Sequence, residues 1–268
     1  MKQVLKRSCW TAFVVALALI GHPTRGEELE IAFGNIAREP LIEVVFPPPG
    51  SPDRVRFTPE GMLIQQSPDV PGRPTGVTGV NMLLPACGDF SIALDCKCLR
   101  LEEPSEGWGQ GLLLQVFLDD EQQTVLKLAR FAYPGRGQLC QAEITHKVGD
   151  QPAEYFYRQM EFKEGSLVIS RTGQEVTFAV DNGSERQVIE SRSCPSADVR
   201  TVEAGCTRLE KGNTAVEFLL RRLRIQADRF FSFQPPKESW FSWWKVLLGT
   251  QVVVVVGLLI VWARRGRQ

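Results

Sequence analysis

Asp119, Asp120 and Glu121 stand together between two apolar runs, and three carboxylates so close invite a hard cation such as calcium. A calcium loop spaces its donors as Asx-x-Asx-x-Asx-Gly, and this run does not, so solvated carboxylates at a loop tip are the simpler reading. Of the two histidines in the chain, only His146 lies beyond the first 26 residues. A multi-histidine metal site is thereby excluded, and a serine triad would rest on one base with no G-x-S-x-G elbow to serve it. Cys96-Lys97-Cys98 offers two thiols to a soft metal, yet there is no C-x-x-C and no glycine-rich phosphate loop. Two cysteines on one strand face more simply read as core thiols or disulfide partners. The residues therefore point to a chain that is not an enzyme and needs no metal and no cofactor.

The elements that position these residues are extended. In GDFSIALDCKC, Phe90, Ile92, Leu94, Cys96 and Cys98 fall on one face, with Ser91, Asp95 and Lys97 on the other. Gly111–Leu118 and Thr124–Phe131 flank the acidic run as a hairpin. Ser166–Arg171 and Glu175–Asp181 flank Thr172-Gly173-Gln174 as another, with Val176, Phe178 and Val180 facing inward. Asp181-Asn182-Gly183-Ser184 supplies a further turn, because Asn-Gly tolerates positive φ. In VEFLLRRLRI the alternation of Val216, Phe218 and Leu220 resumes one residue out of phase at Leu223 and Ile225, which calls for a bulge near Arg221 and Arg222. Many short strands and no amphipathic helix of useful length give an all-β, antiparallel sandwich.

The two ends read differently. Lys2, Lys6 and Arg7 precede an apolar run from Cys9 to Gly21, the layout of a secretory signal over residues 1–26. From Val246 to Trp262 the only polar side chains are Thr250 and Gln251, and with Trp243 and Trp244 the run reaches about 20 residues, enough to cross ~30 Å of hydrocarbon as one helix over 243–263. Tryptophans at both ends and Arg264, Arg265 and Arg267 beyond them place the tail 264–268 in the cytoplasm and the rest outside it, in the periplasm or at the cell exterior. The expected organisation is a lead-in segment 27–52 closed by Pro47-Pro48-Pro49, a sandwich 53–230 and a juxtamembrane linker 231–242. Lysine and arginine number 31 against 31 acidic residues, so no basic field is available for nucleic acid.

Six of the seven cysteines lie beyond the apolar leader, and an exported chain would meet an oxidising compartment. Pro195, Ser196 and Gly205 suggest strand, turn and strand between Cys194 and Cys206, which makes that pair the first disulfide candidate. Cys96 or Cys98 with Cys140 is the second, and buried free thiols are the competing reading.

The order GDFSIALDCKCLRL, GLLLQVFLDDEQQTVLKLARF, GSLVISRTGQEVTFAVDNG and AVEFLLRRLRIQA resembles the jelly-roll domains of the concanavalin A-like lectin and glucanase superfamily. It is most similar to bacterial membrane-anchored members whose Gly-Asp-Phe strand pairs with a final strand of the Val-Glu-Phe type. Glycosidases of that superfamily carry an E-x-D-x-x-E strand, which is absent here, so the resemblance implies binding rather than hydrolysis. Sugar recognition on such folds combines aromatic platforms with loop Asp, Asn and Gly groups. Trp108 in EGWGQG, Tyr133 in AYPGRG, and Asp119 and Asp120 are the candidate ligand contacts, with Tyr155 and Tyr157 in EYFYR as further aromatics. The expected partners are the lipid bilayer through the C-terminal helix, and a glycan or an envelope protein. A structural or assembly subunit of a cell-envelope complex, or a degenerate glycoside hydrolase, is the alternative function.

Overall fold

Alternating apolar and polar side chains organise the strands of the computed structural model, which describes residues 26–34, 42–47, 51, 53–68, 76–208 and 214–231. The chain divides into two units, Met1–Phe231 and Ser232–Gln268, and every described residue belongs to the first. The expected signal segment before Gly26, and the linker, span and tail after Phe231, lie outside the described residues. Among the described residues no helix is long and apolar enough to cross a membrane.

The strands are β1 (Glu27–Ala32), β2 (Ile42–Val45), β3 (Arg54–Thr58), β4 (Gly61–Gln66), β5 (Gly76–Leu101), β6 (Gln110–Leu118), β7 (Thr124–Tyr133), β8 (Gly137–His146), β9 (Glu154–Gln159), β10 (Glu164–Thr172), β11 (Glu175–Asp181), β12 (Arg186–Ser193), β13 (Val199–Arg208) and β14 (Val216–Phe230). All their pairings are antiparallel. One layer runs β2-β5-β13-β6-β7-β8-β9. The other runs β12-β11-β10-β5-β14, with β1 and β4 sharing the far edge of β14 and β3 beyond β4. β7 packs over β10, and β12 over β8 and β9. The result is an all-β antiparallel sandwich.

β5 belongs to both layers. Its first half pairs with β2 and β13, its second half with β10 and β14, and the change of partner falls at Ala86–Phe90. Gly88 there has φ +73°, a left-handed conformation that glycine adopts without a Cβ penalty. Arg171, only 2% exposed, clamps this corner. It donates to the carbonyls of Gly88, Ala197 and, at 3.2 Å, Pro195, and its guanidinium stands 4.9 Å from the centroid of Phe90.

The core lies between the layers. Leu112, Leu114, Val116 and Leu118 of β6, with Leu126 and Leu128 of β7, face Ile92, Leu94, Leu167, Ile169, Phe178, Phe218 and Ile225. Each such side chain removed from water contributes about 1.5–3 kcal/mol. Val176, Phe178 and Val180 face inward as their alternation requires. The β10–β11 and β11–β12 hairpins form at the expected turns, and the Gly-Asp-Phe strand pairs with the Val-Glu-Phe strand. β14 shifts register between Leu220 and Arg222. Val216–Leu220 pair with β4 and Arg222–Ala227 with β1, so the bulge lets one strand serve two edge partners.

Two expectations need correction. Residues 27–52 are not merely a lead-in: β1 pairs with β14, β2 pairs with β5, and Ile31 and Phe33 enter the core. No disulfide joins Cys194 to Cys206, or Cys96 or Cys98 to Cys140; all of these are free thiols. Cys194 donates its N–H to Gln174 at the β10–β11 turn, whereas Cys206 pairs with Thr78 and Leu112 in mid-sheet. Burial pushes Cys96 and Cys140 up to about 12 and Cys194 up to about 11, which suppresses the thiolate that exchange chemistry needs.

Candidate functional site

The β6–β7 hairpin sorts the sequence candidates by end. Trp108 precedes β6 and Tyr133 closes β7, so they share one end of the layer, while Asp119 and Asp120 sit at the other end, about 26 Å away along nine extended residues. The four residues do not form one site. Asp120 instead caps its turn, accepting from the Thr124 N–H at 2.7 Å and the Thr124 hydroxyl at 2.5 Å. That hydroxyl also meets His146 Nδ1 at 3.0 Å. Gln123, at φ +50°, completes the turn.

At the other end, Trp108 is 89% exposed and Tyr133 only 8%. Gly109 between them has φ +89°, and a Cβ there would lie 2.9 Å from the Tyr133 ring. The loop before β6 is thus laid directly on Tyr133, and Glu103 ties it to the β7–β8 turn by accepting the Gly135 N–H. Tyr133 stands edge to face with Tyr157 at 5.9 Å and 84°. Arg136 caps the pair, 5.0 Å from the Tyr157 centroid and 5.9 Å from that of Tyr133. The indole is the open aromatic surface, and Tyr133 underlies Gly109 next to it in the loop.

From Tyr133 a chain of polar side chains runs across the outward face. Its hydroxyl donates to Gln141 Oε1, Gln141 Nε2 donates to Glu143 Oε2 at 2.8 Å, and Glu143 forms an ion pair with Lys127. Burial, with Tyr157 and Glu143 nearby, raises the Tyr133 phenol above its ordinary value and keeps it a donor. The strand registers extend this into one row across six strands: Asn81, Glu203, Gln115, Lys127, Glu143 and Tyr155. Beside it lies an apolar strip of Leu113, Ala129, Phe131 and Leu139. Burial raises Glu203, with Lys147 partly offsetting the rise. β6 and β7 separate Glu203 from Glu143, about 14 Å at three strand spacings. That is wider than the roughly 5 to 10 Å between the two carboxyls of a glycosidase pair. Alternation in VLKLARF and LCQAEITH marks Lys127, Gln141 and Glu143 as outward positions, the signal by which sequence alone could have found them.

The other layer carries a cavity of about 590 Å³ on its outward face, lined by Glu30, Asp95, Glu164, Arg221, Arg222 and Arg224 among others. Most of these charges pair with one another. Asp95 accepts from Ser166 at 2.6 Å, from Arg224 at 2.8 Å and from Arg222, and Arg221 pairs with Glu164. Among the described residues no cluster of three His, Cys, Asp or Glu side chains is placed to hold a metal ion.

Several solved structures share this architecture at low sequence identity. A mucin-degrading endo-acting O-glycanase study of human gut microbiota members provides a structure at TM-score 0.56 and 7% identity, covering 74% of this chain and 98% of that one. The CBM2 module of the evolved Dit of Lactobacillus casei BL23 phage J-1 aligns at TM-score 0.50 and 11% identity, covering 75% and 96%. The exoplasmic/lumenal domain of VIP36 in its Ca²⁺/mannose-bound form aligns at TM-score 0.50 and 9% identity, covering 76% and 89%. The shared fold is a jelly-roll β-sandwich. No curated protein matches the chain. A family model described as "Protein of unknown function (DUF1583) C domain" matches residues 35–240.

Proposed function

This chain belongs to the DUF1583 C-domain family, and on that premise we propose that it is a membrane-tethered, extracytoplasmic module that binds a glycan without cleaving it. The observation that carries the reading is the row from Asn81 to Tyr155, linked through Glu143 and Gln141 to Tyr133, at whose end of the layer the indole of Trp108 is open. Sugars present hydroxyl groups and apolar ring faces together, and a hydrogen-bonding row beside an exposed aromatic answers both. Glycan-associated proteins among the fold relatives support the reading by likeness of architecture alone. Tethering follows from the apolar C-terminal run and the arginines after it.

The test is a glycan array probed with the full-length chain in neutral detergent, with digestion products assayed in parallel. Capture of at least one glycan class without hydrolysis is expected. Hydrolysis abolished by Glu143→Gln or Glu203→Gln would overturn the non-catalytic reading. Protease added outside intact cells should remove the sandwich, and a sandwich that survives after any outer membrane is permeabilised would reverse the topology.

A further inference from the structure

Arg136 lies in the turn between β7 and β8, its N–H bonded to the Tyr133 carbonyl at 3.2 Å and its guanidinium stacked on Tyr133 and Tyr157. Arg100, Arg192, Arg221, Arg222 and Arg224 each form an ion pair with a carboxylate. Arg136 forms none among the described residues. The acid tied most directly to its turn, Glu103, is already engaged by the Gly135 N–H, and Glu143 further along the face is paired with Lys127.

Stacking fixes a guanidinium without using its in-plane N–H groups. Those groups form a rigid fork that matches a carboxylate or sulfate in two parallel bonds, and the ring contacts reduce the entropy lost when the anion arrives. The same stacking occupies ring surface that a neutral sugar would need. With Tyr133 buried and Tyr157 carrying the guanidinium, the aromatic surface left fully open beside this turn is Trp108. The presented pair is therefore one indole and one unpaired cation, on two loops joined through Glu103 to Gly135 and Gly109 against Tyr133.

We propose that this end of the face takes an acidic glycan, a sugar ring lying on Trp108 and its carboxylate or sulfate seated on Arg136. The inference rests on the glycan-binding reading and narrows it. Two matched probe pairs test it on the full-length chain in neutral detergent: polygalacturonate against its fully methyl-esterified form, and dextran sulfate against dextran. At least one acidic member should bind about tenfold or more tightly than its neutral counterpart, as a charge-assisted fork would provide, and that advantage should shrink as salt rises. Arg136→Gln should erase the preference without moving the thermal midpoint, and Arg136→Lys should restore part of it. The response of the two pairs distinguishes carboxylate from sulfate. Equal binding of acidic and neutral members, or a preference that survives in Arg136→Gln, would overturn the inference while leaving glycan binding intact. No capture of any glycan, on the array or here, would remove both.

Discussion

On the outward face of the β10–β14 layer, Asp95 gathers Ser166, Arg222 and Arg224, and Glu164 draws in Lys97 and Arg221. On the outward face of the opposite layer, Tyr133, Gln141, Glu143 and Lys127 are also chained together, but at that chain's margins Trp108, Arg136 and the exposed Tyr155 are engaged by no carboxylate among the described residues. Both faces follow the same alternation of inward apolar and outward polar residues. A closed network of charges holds its own sheet together; a network with open ends has donors and a ring face left for another molecule. Polar residues on a sheet thus indicate a site only when some of them lack partners within the chain.

The largest effect should fall on the closed face. Asp95→Ala leaves two arginines and a serine without their acceptor and is expected to cost about 3 kcal/mol of stability, since bonds to a charged group contribute roughly 1.5–3 kcal/mol. Denaturant midpoints measure it, and glycan capture per folded molecule should be unchanged. Loss of capture at full stability would reverse the roles of the two faces. On the open face, Trp108→Ala should do the opposite, weakening capture by about 1–3 kcal/mol as an anchor residue does while the thermal midpoint stays. A large stability loss with capture intact would make Trp108 a structural lid. Tyr133→Phe is smaller: it strips Gln141 of its phenol partner at a buried position and should cost about 1 kcal/mol of stability, read by thermal unfolding.

The smallest difference is one of pH. Burial alone would raise Asp95, but Ser166, Arg222 and Arg224 outweigh it and hold the carboxyl below the usual range. Its stabilisation is present above its unfolded value near ~3.9 and is lost as pH falls through the lower folded value. Glu203 has the reverse sign. Its folded value is raised, so its contribution is full below its unfolded value near ~4.3 and is lost as pH rises through the folded one. Glu203→Gln should therefore gain stability relative to the wild type between pH 4 and pH 7, and a constant difference across that range would contradict the assignment.

Local signals made much of the fold legible. Thr172-Gly173-Gln174 and Asp181–Ser184 are turns whose residue types demand them, and the phase slip at Arg221 is visible within one strand. β1 was not legible: Glu27, Glu28 and Glu30 surround Leu29 and Ile31, and only pairing with β14 gives that alternation a place. The grouping of candidate contacts failed for a related reason. Asp119 and Asp120 share the polarity of a ligand loop, but a hairpin separates its tip from its open ends by the length of its strands.

Period and turn chemistry, which act between neighbouring residues, fixed the antiparallel sandwich from the amino-acid order alone. The row from Asn81 to Tyr155 draws one residue from each of six strands, whose members range along the chain from Asn81 to Glu203. Only register brings them level, and register is settled by burying the inward set of every strand at once. The same long-range packing left the six described cysteines as thiols and placed Arg136 over two tyrosines, with no carboxylate paired to it among the described residues.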